Sequence, residues 1–152
     1  MGSFAVQLAR WRGAQVVTTV SAWNFGLAEA LGAEEVLDYK KTSFEQAGHF
    51  DVVFDTVGNE TLERSWAVLK PGGRLVTVAD SATQSAEQRT KDAFFIMAPD
   101  GRQLEEIKAL LEAGTLRTVV DAVFPLSQAP DVYSERVVRR RQGKLVVSNG
   151  NC

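Results

Sequence analysis

The spacing of apolar residues changes several times along the chain, and each change marks an element. Phe4, Val6, Leu8, Ala9 and Trp11 form an apolar-rich helical run that ends at Gly13. Gln15–Val20 is short and rich in β-branched residues, so it predicts a strand. A helix is expected over Ala22–Leu31, with Ser21 as its N-cap and Gly32 closing it in the left-handed conformation. Glu35–Leu37 predicts a shorter strand, and Ser43 caps a short helical turn. Asp51–Asp55 is an apolar run too short for a helix and reads as a buried strand. Thr56 to Asn59 then turns the chain. From Asn59, Leu62, Trp66 and Leu69 recur at helical spacing, and Pro71-Gly72-Gly73 is expected to stop that helix. Leu75–Ala79 predicts a second buried strand.

The pattern weakens and then returns. Asp80–Asp92 is polar and aperiodic and reads as a loop, whereas Ala93–Met97 reads as a buried strand. Pro99-Asp100-Gly101 leads into a helix with Leu104, Ile107, Leu110 and Leu111 facing inward and Gly114 as its stop. Thr118–Phe124 predicts a strand, Asp131–Arg141 a basic helix, and Lys144–Val147 a last strand after Gly143. Strands alternating with helices predict an α/β sheet, mostly parallel, with right-handed crossovers. In such a sheet a ligand sits at the strand C-terminal ends, here near Asp55 to Gly58.

Composition narrows the function. The chain has 152 residues, 45% of them apolar and 24% charged, which suits one globular domain. A net charge of -2 gives no reason to expect nucleic acid or membrane as a partner. Arg139-Arg140-Arg141 is a local basic run, better read as a solvated helix end than as a binding patch. The sole cysteine, Cys152, excludes an internal disulfide framework and fits a reducing compartment. No stretch approaches the roughly 20 apolar residues of a membrane span, and the N-terminus lacks a signal-peptide pattern. The expected location is cytoplasmic. One histidine, His49, and one cysteine make no zinc cluster, and there is no G-x-S-x-G elbow. His49 is expected at the surface.

Two places favour a nucleotide. Gly2 opens an apolar helix whose free N-terminal amides suit a pyrophosphate. The strand end Thr19-Val20-Ser21 lacks the carboxylate that would hold a ribose 2′-hydroxyl. Small hydroxyl residues there leave space for a 2′-phosphate, which Asn24, Tyr39 and Lys40 can approach. The plainer alternative, that Ser21 only caps a helix and Tyr39 only packs, stands beside it.

A set of segments occurs in a telling order: Gly2–Ala9, Leu31–Tyr39, Asp51–Gly58 and Leu69–Leu75, then Phe94–Ile96, Leu111–Gly114, Val119–Leu126 and Gly143–Val147. Together they resemble the nucleotide-binding domain of medium-chain dehydrogenase/reductases, specifically the quinone oxidoreductase-like branch. The resemblance covers nearly the whole chain. It implies an α/β, Rossmann-like doubly wound parallel sheet lacking its first strand, which would lie between the strands at Gln15 and Phe50. It implies one NAD(P)-binding domain over 1–152, with 119–152 as the return segment towards a GroES-like catalytic domain that this sequence does not contain.

The same resemblance implies roles for matched residues. Gly2 and Ser3 would lie under the pyrophosphate. Ser21, Asn24 and Tyr39 would surround a 2′-phosphate, which favours NADPH. Thr56 and Val57 would line the cofactor, and Phe95 and Ile96 would lie near the nicotinamide. The implied activity is zinc-independent reduction of a small molecule, a quinone or activated alkene, by a homodimer. No catalytic residue is assigned. Two other readings remain: a catalytically inactive association module, and a class I methyltransferase-like domain, which also carries segments like Leu69–Leu75.

Overall fold

The computed structural model describes residues 1–138 and 142–150. Arg139, Arg140 and Arg141, with the basic run they form, and Cys152 lie outside the described residues.

Helix α1 (Gly2–Trp11) buries Val6 and Gln7 and turns at Gly13, whose φ is +81°. Strand β1 (Val17–Val20) follows. The expected ten-residue helix divides into a 3₁₀ turn over Ala22–Asn24 and helix α2 (Phe25–Ala30). Strand β2 (Glu35–Asp38) lies parallel to β1, with Val17 opposite Glu35 and Val20 opposite Asp38. Val6, Val16, Ala28, Leu31 and Ala33 form the core of this unit. Ser43 precedes a 3₁₀ turn over Phe44–Ala47, and His49 is exposed as expected.

The second unit repeats the plan. Strand β3 (Phe50–Asp55) leads through helix α3 (Asn59–Ser65) and a 3₁₀ turn at Trp66–Val68 to strand β4 (Leu69–Thr77), parallel to β3. Leu62, Leu75, Ala82 and Ala93 are its core. Pro71-Gly72-Gly73 is not the helix stop, because the helical path already ends at Val68. The tripeptide instead makes an irregularity inside β4, where pairing jumps from Phe50 with Leu69 to Val52 with Arg74. A Cβ on Gly73 would stand 3.0 Å from the Phe50 carbonyl oxygen, so a side chain there would have to push the neighbouring backbone back.

Several expectations change beyond Thr77. The predicted loop contains a 3₁₀ turn over Asp80–Gln84 and helix α4 (Gln88–Asp92). A tertiary bond orders it: Trp66 Nε1 donates to Thr90 Oγ1 at 3.0 Å, and Thr90 is fully buried. No periodicity could announce that. The strand expected at Ala93–Met97 shrinks to one bridge between Phe94 and Thr77, after which Phe95, Ile96 and Met97 are exposed. Helix α5 (Gly101–Glu112) has the predicted period and a true cap, Asp100 Oδ1 accepting from Arg102 N at 2.8 Å. Its Leu104, Ile107 and Leu111 are nevertheless exposed rather than inward.

Strand β5 (Val120–Pro125), a 3₁₀ turn at Leu126–Gln128, helix α6 (Ala129–Tyr133) and strand β6 (Lys144–Ser148) complete the chain, with β5 parallel to β6. Helix α6 thus begins two residues before the predicted start at Asp131 and ends at Tyr133, well short of Arg141. The buried Gln7 side chain ties the segment before β5 to α1: its Nε2 donates to Arg117 O and its Oε1 accepts from Arg117 N at 2.9 Å.

The fold is Rossmann-like, with its parallel strands in three separate pairs among the described residues, β1–β2, β3–β4 and β5–β6. The β1–β2 pair and the β3–β4 pair, to which the Phe94 bridge is joined, line one gap from β1 and from β3. A cavity of about 480 Å³ fills the gap, lined by α1, β1 and β3. This corrects the expectation that β3 is buried. Val52 is 63% exposed and Phe54 43%, because among the described residues β3 pairs with β4 on one flank only. Among the described residues no helix is long and apolar enough to cross a membrane.

Candidate cofactor site

The mouth of the cavity is built from three chain segments. Helix α1 runs back against β1, so its N-terminus lies where the strands end. Gly2 and Ser3 therefore line the same cavity as Val20, Asn24, Asp55, Thr56 and Val57. A Cβ placed on Gly2 meets nothing within 4 Å, so the space before the first helical turn is open. The free amides of that turn, with their positive end charge, face an unfilled region.

At the ends of β1 and β2 the chain gathers polar and aromatic groups. Ser21 is buried, but its side chain makes no cap hydrogen bond, which corrects the reading of it as a helix cap. Its Oγ instead accepts from Asn24 Nδ2 at 3.4 Å. Asn24 Oδ1 is buried with no hydrogen-bond partner among the described residues. Lys40 Nζ stands 5.2 Å from the Trp23 ring centre and 5.9 Å from that of Tyr39. Both rings are more than half exposed. Asp38, buried at the end of β2, takes the Lys40 backbone amide at 3.0 Å and fixes where that side chain starts. Among the described residues Lys40 has no carboxylate partner.

The end of β3 is closed by a buried carboxylate. Asp55 Oδ1 accepts from Val57 N, and Oδ2 accepts from Gly58 N at 3.0 Å and from Thr77 Oγ1 at 2.6 Å. Thr77, fully buried, in turn accepts from Ala79 N at 3.0 Å. These bonds hold the Thr56-Val57 turn rigidly against the cavity. Gly58 completes it with φ +78°; a Cβ there would come within 2.7 Å of Ala79 Cβ and closer still to Ser81 Oγ. Ser81 Oγ also accepts from Asn59 N at 3.1 Å.

A clasp braces the cavity's other flank. Arg64 Nη2 donates to Glu45 Oε2 at 2.8 Å and its guanidinium lies 5.0 Å from the Phe44 ring. Bonds from Arg64, and then from Ser43, hold the Glu45 carboxyl down at about 2. Asp51 is lowered too, by Lys70 Nζ at 2.9 Å.

Of the nine residues the sequence pointed to, Gly2, Ser3, Asn24, Thr56 and Val57 line the cavity. Ser21 and Tyr39 lie beside it through Asn24 and Lys40. Phe95 and Ile96 do not line it; Phe95 N donates to Thr77 O at 2.8 Å, on the far side of β4 from β3. Trp23, Thr77 and Ser81 were missed. Trp23 sits between the flagged Ser21 and Asn24 and had a local signal, whereas Thr77 and Ser81 act only through tertiary contacts.

Comparison with known proteins agrees with this geometry. A family model described as zinc-binding dehydrogenase matches residues 31–147. The "Probable zinc-binding oxidoreductase, mitochondrial" of Arthroderma benhamiae is 31% identical, over 97% of this chain and 48% of its own length. The "NADPH-dependent alkenal/one oxidoreductase, chloroplastic" of Arabidopsis thaliana is 30% identical, over 97% of this chain and 37% of its own. A solved quinone oxidoreductase from Coxiella burnetii superposes with a TM-score of 0.80 at 29% identity, covering 96% of this chain and 48% of that one. The chain thus spans about half the length, or less, of these relatives. Among the described residues no group of three or more His, Cys, Asp or Glu stands ready to hold a metal ion. The family model and the parallel sheet together show that the chain belongs to the zinc-binding dehydrogenases of the medium-chain dehydrogenase/reductase superfamily, in the quinone oxidoreductase-like branch.

Proposed function

We propose that residues 1–152 form the NADPH-binding portion of an oxidoreductase that reduces a small quinone or activated alkene. The observation that carries this reading is the Lys40 ammonium, poised over Trp23 and Tyr39 with no carboxylate partner among the described residues. A site for NADH would carry an acidic side chain at the end of β1, where this chain has Val20 and Ser21. The partnerless Asn24 Oδ1 fits as well, since a buried acceptor needs a donor and a ribose hydroxyl is one.

In this reading the bound cofactor supplies hydride to the substrate. The α1 amides at Gly2 and Ser3 hold the pyrophosphate, Ser21 and Asn24 the ribose, and Lys40 and Tyr39 the 2′-phosphate. Thr56 and Val57, fixed by Asp55, form the wall on the nicotinamide side. Phe95 and Ile96 have no role in it. The names of the relatives support a nicotinamide-dependent reduction, and family membership displaces the methyltransferase-like alternative.

Calorimetric titration of the chain with NADPH and NADH tests this. NADPH should bind about tenfold or more tightly, the worth of one charge-assisted contact. Lys40→Ala should remove most of that difference and leave NADH unchanged. Absence of binding by either nucleotide would sink the reading. The exposed run Phe95, Ile96 and Met97 favours a second one, association with another subunit, including a homodimer. Light scattering that finds a stable dimer without NADPH binding would select it.

A further inference from the structure

Helix α1 buries two residues, and one of them is polar. Val6 belongs to the apolar core, whereas Gln7 is 7% exposed and both hydrogens of its amide are in use. Its Nε2 donates to Ser3 O at 2.8 Å and to Arg117 O at 3.1 Å, and its Oε1 accepts from Arg117 N at 2.9 Å. A primary amide has two hydrogens, so none is left for a ligand. The Ser3 bond instead reaches the first turn of α1, whose Gly2 and Ser3 line the cofactor cavity. The anchor at the other end is firm. Leu116, just before Arg117, is 4% exposed, and its amide donates to Leu110 O at 3.0 Å. Arg117 Nη2 donates to Ala30 O at 3.1 Å, so the same residue also holds the end of α2. The first turn of a helix lacks ladder partners for its amides and frays most readily. Here that turn is tied to a point 110 residues further along the chain than Gln7.

We propose that Gln7 is a positioning residue for the cofactor, holding the first turn of α1 where its free amides meet the pyrophosphate. The inference rests on the NADPH reading above and goes beyond it by naming what aims those amides. Gln7 touches no part of the cofactor; it acts through the Ser3 carbonyl, and so fixes the peptide plane that follows the Ser3 amide. Main-chain donors hold an anion best when they need no rearrangement as it arrives. A side chain that binds the Ser3 carbonyl and the Arg117 backbone together meets that need before any ligand is present.

Gln7→Met tests this, because methionine keeps the length and the helix preference of glutamine and loses the amide. Calorimetry compares two ligands: NADPH, which carries the pyrophosphate, and adenosine 2′-monophosphate, which carries the 2′-phosphate without it. The variant should bind NADPH about fivefold or more weakly, and adenosine 2′-monophosphate within about twofold of the unaltered chain. A merely structural role would weaken both ligands alike or neither, and either result overturns the proposal. If the unaltered chain binds neither ligand, the NADPH reading fails and this inference falls with it. If it binds both and Gln7→Met changes them equally, this inference alone fails. A second measurement needs no variant. In the unaltered chain without cofactor, NMR amide exchange at Phe4 and Ala5, which donate to Met1 O, should be as slow as at Leu8 and change by less than about twofold with NADPH. Fast exchange there that slows only when NADPH binds would mean that the ligand orders the turn, and would overturn the proposal.

Discussion

The unit of β1 and β2 and the unit of β3 and β4 share one plan, two parallel strands joined by a helix, yet they finish differently at the ligand end. The second is closed by its own bonds: Asp55, Thr77 and Gly58 satisfy one another. The first is left unfinished. Ser21 and Asn24 share a long 3.4 Å contact, Asn24 Oδ1 has no partner among the described residues, and Lys40 rests on two exposed rings. A wall should be rigid before a ligand arrives, whereas a ligand-reading surface must keep polar groups in reserve. The same contrast appears between β4 and β3. Leu75 of β4 is 5% exposed, whereas Val52 of β3, the strand that lines the gap, is 63% exposed.

The strongest test of that contrast is a pair of truncations. Leu75→Ala should cost about 2–5 kcal/mol in urea unfolding, the usual penalty for emptying a packed site. Val52→Ala should stay within about 0.5 kcal/mol, as for a surface position. Equal costs would mean that the gap is closed in solution.

Next come the two strand ends. Asp55→Asn weakens charge-assisted bonds to two backbone amides and should cost about 1.5–3 kcal/mol, with faster exchange at Val57 and Gly58. Ser21→Ala breaks only a long contact and should cost under about 1 kcal/mol. A costly Ser21 change would place a structural lock in the first unit as well. Gly58→Ala, forced into positive φ against Ala79 and Ser81, should cost about 1–3 kcal/mol.

The smallest effect belongs to the Glu45–Arg64 clasp. Its carboxyl is lowered from 4.5 to about 2, so its stabilisation is complete above pH 4.5 and fades as pH falls towards 2. As a partly exposed surface pair, it should barely move overall stability. Carbon-detected NMR titration should give a Glu45 midpoint near 2 that returns towards 4.5 in Arg64→Ala. A midpoint unchanged by that substitution would remove Arg64 as the cause.

Much of this was legible in the residues, and the failures share a reason. Helix α1, strands β1 to β3, the part of β4 from Leu75 and helix α5 follow from period and β-branching, properties of neighbours in sequence. Ser21 was misread because an N-cap residue before a helical stretch is equally a hydroxyl that can face Asn24. Pro71-Gly72-Gly73 looked like a helix stop because proline and glycine signal a break without saying which element they break. Helix α4 was invisible since its order comes from Trp66 meeting Thr90. Phe95 and Ile96 have a strand composition, but after one bridge to Thr77 they find no further partner among the described residues.

By itself the sequence determined the alternation of elements, the parallel pairing that short apolar strands joined by helices require, and the family. These depend on local period and on the order of motifs. Only the tertiary structure decided which groups are satisfied and which are waiting. Asp55 spends its carboxylate on its own turn, Lys40 has no carboxylate partner among the described residues and lies over two rings, and β1 and β3 line one cavity. Satisfaction is a property of neighbours in space, and a chain read residue by residue contains no record of them.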